Sequence, residues 1–327
     1  MSGIVGDERS ECKPVIKAKH MEWIKPPALR AGDTIGIVAA ASNIKPELLA
    51  EGCRELESFG FRTHVRPDIA STFRYFAGSH ERRRTEFLEM LSNPEVKAIF
   101  CARGGYGSGY LVPYLTKELI RANPKVVIGA SDITMILGAM QNARVATFHG
   151  PMVATSIRQG SDGYDRDVFF DMIQRARAVR FPLSGTNVLK SGSAEGRLTG
   201  GCLSLVVAAL CTPAEVDTTD SILVLEDIDA KPYQIDRMIT QLRQAGKLKT
   251  VRGVVFGEML NCSQHVNQGY SLEDVLIDLL QDFQGPILFG FPTGHTLKPN
   301  IIVPFGVRAR LALERDQVFE LLEPAVS

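Results

Sequence analysis

The stretch TIGIVAAASNIKPELLAEGCRELESFG, residues 34–60, decides the fold. Its opening run, Thr34 to Ala41, is almost wholly apolar and follows a Gly32-Asp33 turn, the pattern of a strand buried on both faces. Pro46 then opens a segment whose apolar residues fall three and four apart, closed by Gly60. Proline suits a first helical turn, where its missing N–H is not needed, and glycine suits the position past the last turn. Working outward, the alternation repeats: a strand over Phe61–Val65, a helix over Glu81–Leu91, a strand over Val96–Cys101, a helix over Tyr110–Arg121 and a strand over Val126–Gly129. The basic run Arg82-Arg83-Arg84 reads as a solvated helix face. Strand alternating with helix at this spacing implies a parallel sheet with helices on both faces.

The pattern changes after about Val153. Residues 156–195 are polar and read as connection. From Arg197 the chain becomes strand-rich, over Ile222–Glu226, Gly253–Gly257, Ile287–Gly290, Ile301–Val303 and Val307–Leu313, with helical segments near Ile235–Ala245 and Leu272–Gln281. The expected organisation is therefore a flexible N-terminal extension over 1–25, an α/β domain over 26–155, a connecting segment over 156–195 and a β-rich domain over 196–327. A chain of 327 residues accommodates two domains.

Lys+Arg and Asp+Glu both number 37, so the formal net charge is zero. That speaks against a dedicated nucleic-acid binder, which carries a basic excess. No window reaches 18 uninterrupted apolar residues, so no membrane helix is expected. The polar start, Met1 to Lys19, lacks a secretory apolar core. Six cysteines are scattered without a C-x-x-C pair or a histidine cluster at zinc spacing. These features imply a reducing, cytoplasmic setting without disulfides or structural metal.

Three loops at strand ends carry the chemistry. Arg103-Gly104-Gly105-Tyr106-Gly107-Ser108-Gly109 follows the strand ending at Cys101, and its glycines permit close backbone approach to a ligand. It lacks the Lys-Ser/Thr of a P-loop, and Tyr110 stands where G-x-G-x-x-G needs its last glycine, so nucleotide binding is poorly supported. The plain alternative is a turn packing strand on helix. In Gly129-Ala130-Ser131-Asp132-Ile133-Thr134 a buried strand runs into Ser131 and an apolar helix leaves at once, a turn that exposes Oγ above helix N-terminal amides. The α/β-hydrolase signature G-x-S-x-G is not met, because Ile133 occupies the fifth position, and a helix N-cap explains a serine there equally well. Phe291-Pro292-Thr293-Gly294-His295-Thr296 offers a loop histidine suited to proton transfer near neutrality. His149, in Phe148-His149-Gly150-Pro151, competes for that role. A carboxylate to orient the imidazole is available at the end of the apolar run Ile222–Leu225, where Glu226 and Asp227 point to opposite faces.

Taken in order, these segments resemble the LD-carboxypeptidases, the muramoyltetrapeptide carboxypeptidases of peptidase family S66. The carriers are Gly32-Asp33 with IGIVAAAS, ARGGYG at 102–107, GASDIT at 129–134, FHGP at 148–151, LTGGCLSL at 198–205, LEDI at 225–228 with PYQIDRM at 232–238, and GFPTGH at 290–295. The resemblance runs from about Ile24 to Leu313; Met21-Glu22-Trp23 marks its start, which leaves residues 1–20 outside it. It implies a flavodoxin-like or amidotransferase-like parallel-sheet domain followed by a C-terminal β-rich, barrel-like domain. It further implies a Ser131–Glu226–His295 triad shared between the two, an oxyanion hole from the backbone N–H groups of Gly105 and Asp132, and substrate contacts from Arg103, Gly104 and Tyr106. The implied reaction is release of terminal D-alanine from murein tetrapeptides in cytoplasmic cell-wall recycling, without metal or cofactor, by a homodimer. The partner is a small peptide, neither nucleic acid nor membrane. Two rival expectations share the fold: a microcin C immunity-type peptidase acting on peptidyl or aminoacyl nucleotides, and a non-catalytic muropeptide sensor.

Overall fold

The computed structural model describes residues 21–264 and 269–327. The extension expected over residues 1–20, with Cys12 and His20, and the isolated His265 lie outside the described residues. Residues 21–25, also assigned to the extension, belong to the folded body: Ile24 pairs with Val145, and the Lys25 ammonium meets Glu323 at 3.0 Å.

The first half alternates β1 (Thr34–Val38), α1 (Pro46–Ser58), β2 (Arg62–Val65), α2 (His80–Ser92), β3 (Val96–Cys101), α3 (Lys117–Ala122), β4 (Val126–Gly129), α4 (Thr134–Asn142) and β5 (Thr147–His149). These five strands lie in the order β2-β1-β3-β4-β5, all parallel, the flavodoxin-like order expected. Leu49, Cys53 and Leu56 of α1 pack on one face, and Phe87, Met90, Ile136 and Leu137 of α2 and α4 on the other. The helix expected over Tyr110–Arg121 is broken instead. Two short 3₁₀ turns (Ser108–Tyr110 and Val112–Tyr114) precede α3; Leu115 is non-helical (φ −89°, ψ 72°), and the Thr116 hydroxyl accepts from Leu119 N–H to start the helix afresh.

The second half holds α5 (Arg166–Gln174), β6 (Asn187–Lys190), β7 (Ser193–Cys202), α6 (Leu203–Ala208), β8 (Ser221–Glu226), α7 (Pro232–Gln244), β9 (Gly253–Gly257), α8 (Leu272–Leu279), β10 (Ile287–Phe291), β11 (Val303–Phe305), β12 (Arg308–Ala312) and β13 (Val318–Leu321). Its sheet, curled into half a barrel, runs β13-β12-β7-β8-β9-β10-β6, with β7 to β10 parallel and the flanking strands antiparallel. The 156–195 segment is more than connection: α5 is capped by Asp165 and buries Phe169, Met172 and Ile173, and β6 closes one edge of the sheet. Strand β11 leaves the C-terminal half and pairs antiparallel with β5, forming the outer edge of the first sheet. Pro304 is tolerated there because an edge strand has one side without ladder bonds. One apolar core joins the sheets, with Ile128 and Phe148 from the first and Leu198, Val224 and Leu288 from the second. The carboxyl ends of β4 and β5 thereby face those of β7 and β8: Thr134 Oγ1 accepts from Cys202 N–H at 3.1 Å, and His149 reaches Glu226.

Candidate active site

Strand β4 is fully buried, and the chain must reverse abruptly between it and α4. Ala130 stays extended, and Ser131 takes the left-handed conformation, with φ +59°. That region costs a non-glycine residue about 1–2 kcal/mol, so the turn is strained at the serine. The N-cap alternative does not hold: among the described residues the Ser131 hydroxyl caps nothing, and α4 has no side-chain cap. Asp132 is buried, its carboxylate accepting from Ser108 N–H at 2.7 Å. Burial raises its pKa against those hydrogen bonds and the charge of Arg83. Its side chain ties the serine turn to the Gly loop.

That loop leaves β3 at the switch point between β1 and β3, the crevice where open α/β sheets bind ligands. Gly104 lies against the serine: a Cβ there would stand 2.7 Å from Ser131 Cβ. Arg103 and Tyr106 are exposed, Arg103 reaching Asn43 O and Tyr106 flanked by Tyr75 and Tyr110. Ser42, which the sequence reading missed, fixes the loop by accepting from Tyr106 N–H at 3.1 Å. The basic run is also corrected: Arg83 is fully buried and donates to Ala40 O at 2.9 Å and to Gly107 O, and Arg82 pairs with buried Glu86. Backbone carbonyls just past β1 and within the Gly loop supply the acceptors that draw Arg83 inside.

The second sheet contributes the remaining groups. Glu226 ends β8 fully buried, whereas Asp227 turns away to accept from Ser204 N–H. His295, in the loop after β10, donates its backbone N–H to Glu226 Oε2 at 2.9 Å and places Nδ1 2.7 Å from the same oxygen. Thr293, Asn300 and Glu258 hold this loop: Thr293 Oγ1 donates to Ile301 O, Asn300 Nδ2 donates to Gly294 O, and Glu258 accepts from Leu297 N–H. None was singled out in the sequence, since each works through contacts with distant backbone.

The pair perturbs itself in opposite directions. Burial pushes Glu226 up, but the hydrogen bond and charge of His295 outweigh it and hold the carboxyl below its ordinary value. Burial pulls His295 down, and the Glu226 hydrogen bond and charge overcome it, leaving the imidazole above its ordinary value. Glu226 and His295 are thus brought into contact. Ser131 belongs to the same turn as Thr134, whose hydroxyl accepts from Cys202 N–H of the second sheet, and its own Oγ makes no hydrogen bond among the described residues.

Cys202, Glu226 and His295 are the one set of donors among the described residues close enough to hold a metal, all within 4.8 Å. Burial, with the nearby acids, pushes the Cys202 thiol well up, which disfavours the thiolate a metal would need. Cys101 is no rival nucleophile, being fully buried with its thiol likewise pushed up. A separate cleft of about 1110 Å³, lined by Trp23, Arg144, Arg197, Asp220 and Arg308, opens at the amino-terminal ends of β7 and β8, away from these residues. No helix of the described residues is long and apolar enough to cross a membrane.

The LD-carboxypeptidase N-terminal domain model matches residues 35–150, and the LD-carboxypeptidase C-terminal domain model matches residues 195–311. A protein of Bacillus subtilis (strain 168) named "Probable murein peptide carboxypeptidase" is 39% identical over 303 residues, covering 90% of this chain and 94% of the relative. The chain belongs to the LD-carboxypeptidase family. The expectation of an enzyme of this family therefore holds. Among solved structures, muramoyltetrapeptide carboxypeptidase from Oxalobacter formigenes superposes with a TM-score of 0.79 at 26% identity, covering 89% of this chain and 99% of that one. MccF in complex with glutamyl sulfamoyl guanosine gives 0.84 at 22% identity, covering 93% and 100%, a likeness of fold.

In this LD-carboxypeptidase family member, Gly294 is the tightest constraint on the Glu226–His295 pair. Its φ is +72°, and a Cβ would stand 2.3 Å from Glu226 Cδ. Gly294→Ala is expected to cost about 1–3 kcal/mol of stability through the backbone alone. By displacing the carboxylate it should also lower turnover by ~10²-fold. Thermal unfolding and steady-state kinetics of the purified variant check both, and wild-type turnover would contradict the packing.

Proposed function

We propose that this chain is a serine L,D-carboxypeptidase that releases terminal D-alanine from murein tetrapeptides. The supporting observation is the contact of His295 with the fully buried Glu226, 2.7 Å apart in the second sheet, which meets the turn that holds Ser131 at positive φ through the Thr134–Cys202 hydrogen bond. His295 takes the proton of Ser131 Oγ as the oxygen attacks the amide carbonyl between the L-centred diamino acid and D-alanine. Glu226 holds the Nδ1–H tautomer and stabilises the imidazolium. Backbone N–H groups of Gly105 and Asp132 receive the oxyanion, each such donor being worth ~10²–10³ in turnover. His295 then protonates the leaving D-alanine amine, the C–N bond breaks, and an ester to Ser131 remains. Water, deprotonated by His295, attacks that ester to free the tripeptide carboxylate and regenerate the hydroxyl. Arg103, Gly104 and Tyr106 border the substrate end of this site.

The reading extends to a cytoplasmic protein of peptidoglycan recycling that works as a homodimer; the murein peptides in the names of its relatives support the peptidoglycan part alone. The division into a nucleophile-bearing half over 26–155 and a Glu226- and His295-bearing half over 196–327 is part of the same proposal.

The test is D-alanine release from purified murein tetrapeptide in EDTA-containing buffer, beside cleavage of an aminoacyl-sulfamoyl adenosine. Release of D-alanine with an intact sulfamoyl nucleotide is the expected result. The reverse would transfer the same machinery to nucleotide-linked peptides, and inertness toward both would favour a sensor.

A further inference from the structure

His149 competes in the sequence for the role of base, yet its surroundings assign it different work. It is the last residue of β5, fully buried, with its ring stacked on Phe305 of β11 at 5.6 Å and 25°. Its Nε2 lies 3.6 Å from Glu226 Oε1. Among the described residues, neither ring nitrogen has a hydrogen-bond partner, and Glu226 Oε1 has none. The other carboxylate oxygen, Oε2, carries both contacts to His295. A fully buried carboxylate therefore has one oxygen held twice and the other without a hydrogen bond, 3.6 Å from the His149 imidazole. Leaving such an oxygen bare is costly, and the neutral imidazole offers one N–H to meet it.

We propose that His149 is a positioning residue: its Nε2–H faces Oε1 of Glu226 and keeps the carboxylate turned so that Oε2 meets His295. This rests on the role given to Glu226 and His295 above. The neutral form fits the site, because burial and the neighbouring His295 lower the pKa of His149 against the opposite pull of Glu226. The other titratable groups around the pair are Cys202, beside Glu226 and His295, and Asp227 and Asp229, which act on His295. The base role falls to His295, which is partly exposed, while His149 is shut behind the carboxylate.

Two measurements test this. The first needs no substrate: imidazole ¹⁵N spectra of the wild-type full chain, with His149 assigned by its loss in His149→Gln. The expected pattern is a neutral Nε2–H tautomer that does not titrate across the range where His295 does, and that shifts in Glu226→Gln. An Nδ1–H tautomer, or a His149 that protonates with His295, would overturn the proposal. The second compares His149→Phe, which keeps a ring against Phe305 but removes the donor, with His149→Gln, which restores an N–H. His149→Phe should lower kcat for D-alanine release about 10- to 100-fold with little change in KM, and move the acid limb of kcat/KM to higher pH as Oε1 loses its offsetting donor. His149→Gln should recover most of that loss. A folded His149→Phe enzyme with wild-type kcat and an unmoved limb refutes the idea; if that variant does not fold, the spectra and His149→Gln decide. Failure of the wild type to release D-alanine would count against the proposed reaction, while the tautomer measurement still judges His149.

Discussion

Ser131→Ala will reduce D-alanine release from murein tetrapeptide by ~10⁴–10⁶-fold, with substrate binding retained. The expected loss is this large because Oγ alone supplies the attacking lone pair. The buried Cys101 thiol is pushed up by burial, and Cys202, beside the Glu226–His295 pair, is likewise buried with its thiol pushed up. Thermal stability should change little. Ser131 Oγ makes no hydrogen bond among the described residues, and alanine inherits the same positive φ and the same Cβ against Gly104. The decisive comparison measures turnover and thermal unfolding on the same preparations, in EDTA. A variant that folds normally but retains wild-type release would remove Ser131 from the mechanism. A small residual rate is compatible with oxyanion stabilisation and binding alone.

The parts of this site that sequence reading found are those announced by a break in an otherwise apolar strand. Strands β1, β3, β4 and β8 are buried throughout or nearly so, and therefore read as continuous apolar runs; Ser131 and Glu226 stand where two such runs end. Helix α1 was legible because Pro46 and Gly60 bracket it. Local composition failed wherever tertiary partners decide. Strand β7, SAEGRLTGGC, is polar and glycine-rich, yet it is a strand because β8 and β12 pair with it on either side. The polar setting of residues 156–195 masked α5, whose three buried apolar residues are spaced for one helical face. Arg83 looked like surface and lies inside, since its partners are carbonyls brought together only by the fold. Ser42, Asn300 and the apposition of His149 to Glu226 were illegible for the same reason.

Glu226→Gln tests the other half of the catalytic reading, and pH gives it a sign. His295 must be neutral to accept the Ser131 proton, so kcat/KM should fall as pH drops through its pKa. In the wild type that acid limb lies above the ordinary histidine range, because the Glu226 hydrogen bond and charge outweigh the effect of burial. Glutamine preserves the shape of the side chain but removes the charge. Burial then acts unopposed by that partner, His295 drops, and the acid limb moves to lower pH. Turnover on the plateau falls at the same time, by ~10²–10⁴-fold, since a neutral amide neither stabilises the imidazolium nor enforces the Nδ1–H tautomer. The two effects have opposite signs in acid: the variant is the poorer enzyme everywhere, but its relative deficit shrinks as pH falls. A merely structural role for Glu226 would lower turnover without moving the limb. The profile of kcat/KM from about pH 5 to 9, measured for both proteins, separates these outcomes. An unmoved limb would mean that Glu226 does not set the protonation of His295, and the 2.7 Å contact would lose its catalytic meaning.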